Sequence, residues 1–143
     1  MLAKQLSVFI ENRKGRLNEV LEVLKKNNVN ILSLSLADTA DYGLLRLIVN
    51  DPEKGKNSLL SEGFSTMTTD VVIVKISHQA GSLQNLVKNF SENDINVEYM
   101  YGLSTEGIDA YIVMKLSNNN NANEFFAKSN IITLSNEDVS KIK

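Results

Sequence analysis

The 143-residue chain has no cysteine and no tryptophan, one proline and one histidine, and only 6% of its residues are aromatic. Without thiols it can form no disulfide and no thiolate-held metal site. A lone imidazole, His78, is too little for a transition-metal cluster, so no cofactor is expected. A basic face is missing as well. Lysine and arginine number 15 against 17 aspartates and glutamates, and a pI near 5.4 argues against a protein that grips nucleic acid by its phosphates. There is neither a long apolar run nor a signal-like start, so no membrane partner is expected and the cytoplasm is the expected location. A hydrophobic content of 43% with 22% charged residues is that of an ordinary globular protein.

What is present is a repetition. At an offset of 66 residues, Val8, Ile10, Gly15, Leu17, Asn27 and Asn30 fall on Val74, Ile76, Gly81, Leu83, Asn93 and Asn96. Similar apolar residues meet at Val20 and Leu86, Leu24 and Phe90, and Val29 and Ile95. A repeat of this length is a small domain in its own right, and two domains are expected, at residues 1–69 and 70–143. Units this small bury a modest share of their surface, so they are expected to cover one another, within the chain or in a homodimer.

Each copy reads as β-α-β-β-α-β. Leu6, Val8 and Ile10 alternate as in a strand, and the polar loop from Glu11 to Gly15 follows. Leu17, Val20, Leu21 and Leu24 then recur at helical spacing, up to the polar stop at Lys25–Asn28. Asn30 to Leu36 alternates again, turn-forming residues fill Ala37 to Gly43, and Leu44 to Val49 returns as a hairpin partner. Asp51 before Pro52 predicts a helix start, and Gly63 a left-handed helix end. Phe64 to Thr68 leads into the second copy. That copy is expected to run as a strand at Val71–Ile76, a helix from Ser82 to about Glu92, strands near Asn96–Leu103 and Ile108–Leu116, a helix ending near Lys128, and a closing strand at Ile131–Leu134. The run Asn118–Asn121 reads as a loop and helix cap, and Asn136–Ile142 as a last helical turn. The fold class is α+β: two ferredoxin-like repeats, each an antiparallel four-stranded sheet with its helices on one face.

The strand, loop, Gly-x-Leu and helix element, closed by an asparagine-rich stop, resembles the ACT domain, a regulatory module that binds amino acids. The residues that carry the likeness are Gly15-Arg16-Leu17 with Asn30-Ile31, and Gly81-Ser82-Leu83 with Asn96-Val97. Where that family usually has proline before the glycine, this chain has Lys14 and Ala80. The resemblance spans both copies and leaves no catalytic domain over. It implies a non-catalytic sensor that binds an amino acid or related carboxylate where the first strand-to-helix loop of a domain meets its neighbour, and that signals to a regulated protein partner.

The ligand-binding candidates are therefore Asn12, Arg13, Lys14, Gly15, Arg16 and Leu17 in the first copy, with His78, Gln79, Ala80, Gly81, Ser82 and Leu83 in the second. Asn30, Asn96 and Tyr99 are added from the following strands. Glycine lets backbone amides approach a ligand, and the exposed N–H groups of a helix start favour a carboxylate. Arg13, Lys14 and Arg16 beside a positive helix end call for an anion or for Glu11 and Glu19 as partners. The second loop is nearly neutral, so a carboxylate is expected to prefer the first. Asn30 and Asn96 suit a helix-to-strand turn or a ligand amino group. Tyr99 shares a strand face with Tyr101, either to pack or to cover an aromatic ligand. Two other readings stay open: a structural or interaction module that binds nothing small, and an acylphosphatase-like enzyme using Arg13 and Asn30. The second lacks the glycine-rich phosphate cradle and a nucleophile–base pair.

Overall fold

A computed structural model describes residues 2–38, 41–104 and 110–142. The chain divides into two compact units, Lys4–Thr69 with Val139–Lys143, and Met1–Ala3 with Asp70–Asp138. The duplicated segments thus form the body of one unit each, while each end of the chain is counted with the other repeat. No helix among the described residues is long and apolar enough to cross a membrane.

The first repeat runs β1 (Leu2–Glu11), α1 (Arg16–Lys26), β2 (Ile31–Asp38), β3 (Tyr42–Val49) and α2 (Pro52–Ser61), then enters β4 (Ser65–Ile76). Antiparallel pairing places β3 between β2 and β1, with Val8 opposite Leu45 and Leu34 opposite Leu47. Leu6, Val8, Ile10, Leu45 and Leu47 face the helices, where Val20, Leu24, Leu59 and Phe64 close the core. The turn expected at Ala37–Gly43 is shorter, because β2 continues through Asp38 and β3 begins at Tyr42. Thr39 and Ala40 lie outside the described residues. Asp51 caps α2 by accepting the Lys54 N–H at 3.1 Å, with Pro52 in the first helical position. The helix ends as expected at Gly63, where φ is +86° and the Gly63 and Phe64 amides bond back to Leu60 and Leu59.

The second repeat uses the rest of β4, then α3 (Ser82–Glu92), β5 (Val97–Ser104), β6 (Ala110–Leu116), α4 (Asn119–Ala127) and α5 (Asn136–Ser140). Strand β6 lies between β4 and β5, with Val74 opposite Ile112 and Met100 opposite Met114. The strand expected from Ile108 starts at Ala110, and residues 105–109 lie outside the described residues. Where the first repeat has Leu24 and Leu59 in its core and an exposed Leu60, the second holds three phenylalanines in edge-to-face contact. Phe90 lies 5.2 Å from Phe125 and 5.8 Å from Phe126, centroid to centroid. Asn118 caps α4 through the Asn121 N–H, which gives the asparagine run the structural role expected of it.

Two expectations change. The last strand of the first repeat and the first strand of the second are one strand, β4, because Thr69-Asp70 contains neither glycine nor proline to interrupt it. Ile131–Leu134 does not form a full strand. It touches β4 through a single bridge, Val74 to Thr133, flanked by Lys75 N–H to Ile132 O and Leu134 N–H to Ile73 O, each 2.9 Å.

Candidate functional site

The recurring residues define the same two helix ends in each repeat. At the start stands a glycine in the left-handed region, Gly15 at φ +94° and Gly81 at φ +85°, with no side-chain cap over the first turn. Other L-residues pay about 1–2 kcal/mol for this conformation, which accounts for glycine in both copies. At the far end Asn27 and Asn93 turn their side-chain amides back onto the carbonyls of Val23 and Asn89, both at 2.8 Å. Asn28 and Asp94 follow at φ +56° and +57°, and the Val29 and Ile95 amides close the turn onto Leu24 and Phe90.

Asn30 and Asn96 belong to that far end. Asn30 N–H donates to Asn50 Oδ1 at 2.8 Å, and Asn96 N–H to Ser117 Oγ at 2.9 Å; their carbonyls accept from the Asn50 and Ser117 amides. Eleven helical residues, about 16 Å of α-helix, lie between each asparagine and its repeat's glycine loop. Within a repeat the structure therefore does not bring them together. Asn30 instead lines a cavity of about 460 Å³ with Leu21, Lys25, Asn28 and Ile31. For the same reason Arg13 and Asn30 do not form the paired phosphate site of an acylphosphatase-like enzyme within this repeat.

In the first loop both arginines already have partners. Arg13 Nε lies 2.7 Å from Glu11, and Arg16 pairs with Glu19 while its guanidinium stacks on Phe64. Arg16 Nε is buried and makes no hydrogen bond. Asn12 is tied to the Asp41 carbonyl through its backbone amide, Leu17 packs on the core, and Lys14 is exposed. Arg16 faces a cavity of about 230 Å³ that it shares with Glu19, Glu22, Lys26 and Glu62. Three carboxylates there oppose an anionic ligand.

The second loop is built differently. Ser77 and Ser82 hydroxyls meet at 2.7 Å across its base, and Ser82 N–H bonds to the Gln79 carbonyl. Cavities flank it on several sides. One of about 440 Å³ runs between Ser77, His78 and the Asn130–Ile132 segment, and one of about 650 Å³ between His78, Gln79, Gly81, Leu83 and Val87. A third, about 230 Å³, holds Ser82, Asn85 and Asn89. Ala80 is exposed at the loop tip. Reading the sequence alone missed Lys75 and Ile76, which lead directly into this loop, and Asn130–Ile132, which reach it through the Val74–Thr133 bridge. Tyr99 lies elsewhere. It pairs with Lys115, and the register sets it and Tyr101 on the sheet face opposite core residue Met114. Among the described residues no cluster of three or more histidine or acidic side chains is placed to hold a metal ion.

A family model for the ACT domain pair matches residues 1–143. The chain belongs to this family. A crystal structure of protein BT0572 from Bacteroides thetaiotaomicron superposes with a TM-score of 0.91 at 38% identity, covering 99% of this chain and 97% of the other. The ligand-free regulatory subunit of aspartate kinase from Thermus thermophilus shares the fold, with a TM-score of 0.58 at 13% identity over 79% and 83% of the two chains. The corresponding subunit from Thermus flavus gives 0.55 at 13% identity over 80% and 84%. No functionally curated protein matched. The ACT pair accounts for the duplicated βαββαβ pattern and for the repeated glycine at the start of each first helix.

Proposed function

We propose that this ACT pair is a non-catalytic regulatory protein of the cytoplasm, made of domains at 1–69 and 70–143, which binds an amino acid or related carboxylate at its strand-to-helix loops and acts on a protein partner as a homodimer. The observation that carries the reading is the second loop: a left-handed Gly81 leaves the first turn of α3 uncapped, and cavities of about 440 and 650 Å³ open beside it. Helix-start amides favour a carboxylate, and the Ser77–Ser82 hydroxyls offer further polar contacts. Ile76, Leu83, Val87 and Ile131 supply apolar lining for a ligand side chain. Membership of the ACT pair family and the regulatory-subunit names of the Thermus neighbours support the role. The first loop, from Asn12 to Leu17, is the weaker candidate because Arg13 and Arg16 are engaged by Glu11 and Glu19.

A thermal-shift screen against the twenty amino acids and simple carboxylates tests this. A true ligand well above its dissociation constant raises the melting temperature. Gly81→Val should abolish the shift and Gly15→Val should reduce it less. No shift at millimolar concentration with any of them would leave the chain as a structural or interaction module.

A further inference from the structure

The cavities beside the two loops differ in charge. Arg16 shares its cavity with Glu19, Glu22 and Glu62. Among the described residues that line the three cavities around the second loop there is no aspartate or glutamate, and Lys75 and His78 are the only ionisable side chains. The duplicated sequence locates the difference. At the offset of 66 residues Asn85 stands in the place of Glu19, and α3 has no acidic residue in its first turn, where α1 has that glutamate. The one acid of α3, Glu92, lies seven residues beyond Asn85 at the far end of the helix, about 10 Å along its axis. Apolar side chains fill much of the remaining wall: Ile76, Leu83, Val87, Ile131 and Ile132.

We propose that the ligand of the second loop is an aliphatic carboxylate without an amino group, an α-keto acid or a plain carboxylic acid, held in preference to the amino acid of the same carbon skeleton. In an α-amino acid the ammonium sits on the carbon that bears the carboxylate. A site that draws the carboxylate towards the start of α3 therefore brings the ammonium into the same positive potential. The oxygens of Ser77, Ser82 and Asn85 can accept its hydrogen bonds but carry no net charge. Taking an ammonium out of water with no counter-ion is costly. A keto oxygen at that carbon instead accepts from the serine hydroxyls, and a methylene adds to the apolar contact with Ile76, Leu83 and Val87. This names the ligand class of the site described under the proposed function and rests on that reading.

Matched ligands test this on the full chain. Titration calorimetry would compare valine, leucine and isoleucine with the α-keto acids and the plain carboxylic acids of the same skeletons, and alanine with pyruvate as the pair that lacks a tail. For at least one branched skeleton a deaminated acid should bind about tenfold or more tighter than the amino acid, and pyruvate should bind weakly. Asn85→Glu returns the first repeat's carboxylate to a helix start that tolerates it. That variant should weaken the deaminated acid, strengthen the amino acid, and so narrow or reverse their ratio. An amino acid that binds as tightly as every deaminated acid, or a ratio that Asn85→Glu leaves unmoved, overturns the inference while the site stands. No binding by either series, or by any of the twenty amino acids, overturns the site itself.

Discussion

The Arg16 guanidinium lies over the Phe64 ring, 4.5 Å from its centroid, joining the first turn of α1 to the segment that leaves α2. Phe64 is buried, and Arg16 also pairs with Glu19. A residue that the sequence nominates for anion binding is thus occupied with structure. Arg16→Ala is expected to cost about 1 kcal/mol of stability, and Arg16→Lys should recover only part of it, because an ammonium cannot stack as a planar fork does. Urea denaturation of Arg16→Ala, Phe64→Leu and the double variant checks the coupling. Strict additivity would show that the stacking contributes nothing.

Gly15 and Gly81 carry positive φ with no atom within 4 Å of the position a Cβ would take. Substitution there meets backbone strain and no steric clash. Gly15→Ala and Gly81→Ala should each lose about 1–2 kcal/mol, and by similar amounts. A change in thermal stability indistinguishable from zero at both would contradict the left-handed assignment.

Gly55 presents the opposite case. It sits inside α2 with an ordinary φ, but a Cβ would fall 2.8 Å from Leu6 Cδ1 and 3.5 Å from Val29 Cγ1. Alanine gains about 1 kcal/mol in helix propensity, while overpacking a filled core costs about 1–3 kcal/mol. Leu6 is fully buried and cannot swing clear into solvent. Net destabilisation of Gly55→Ala, by about 1 kcal/mol, is the expected outcome of chemical denaturation, and a stabilised variant would mean that Leu6 finds another rotamer.

Asp94 ends α3 at φ +57°, where glycine is the usual residue. Asp94→Gly should raise stability by about 0.5–1 kcal/mol, relief of left-handed strain outweighing the greater freedom of the unfolded chain. Asn28→Gly at the matching position should gain less, since asparagine tolerates this conformation better. Melting temperatures of the two variants, compared side by side, decide the order.

Periodicity identifies the helix of Leu17, Val20, Leu21 and Leu24, and capping preferences identify the Asp51-Pro52 helix start and the Gly63 stop, because each rests on near neighbours in the chain. The family follows from the same residues. The fusion of Ser65–Thr68 with Val71–Ile76 into β4 was harder to read, since the boundary between two strands is marked only by what breaks them, and here nothing does. The site was less legible than the fold. Arg13 and Arg16 look alike as free cations in a sequence, but only packing brings Glu11, Glu19 and Phe64 against them.

By itself the sequence determined the duplication, the α+β class, the ACT pair and the two glycines, all of which depend on spacing and on conformational preferences of single residues. Tertiary structure decided which loop is open. Ser77 and His78 are some fifty residues from Asn130–Ile132 in the chain and become their neighbours only when the Lys75 N–H donates to Ile132 O and the Leu134 N–H to Ile73 O, on either side of the Val74–Thr133 bridge. A cavity is a property of how distant surfaces fail to fill the space between them, and no local pattern encodes that.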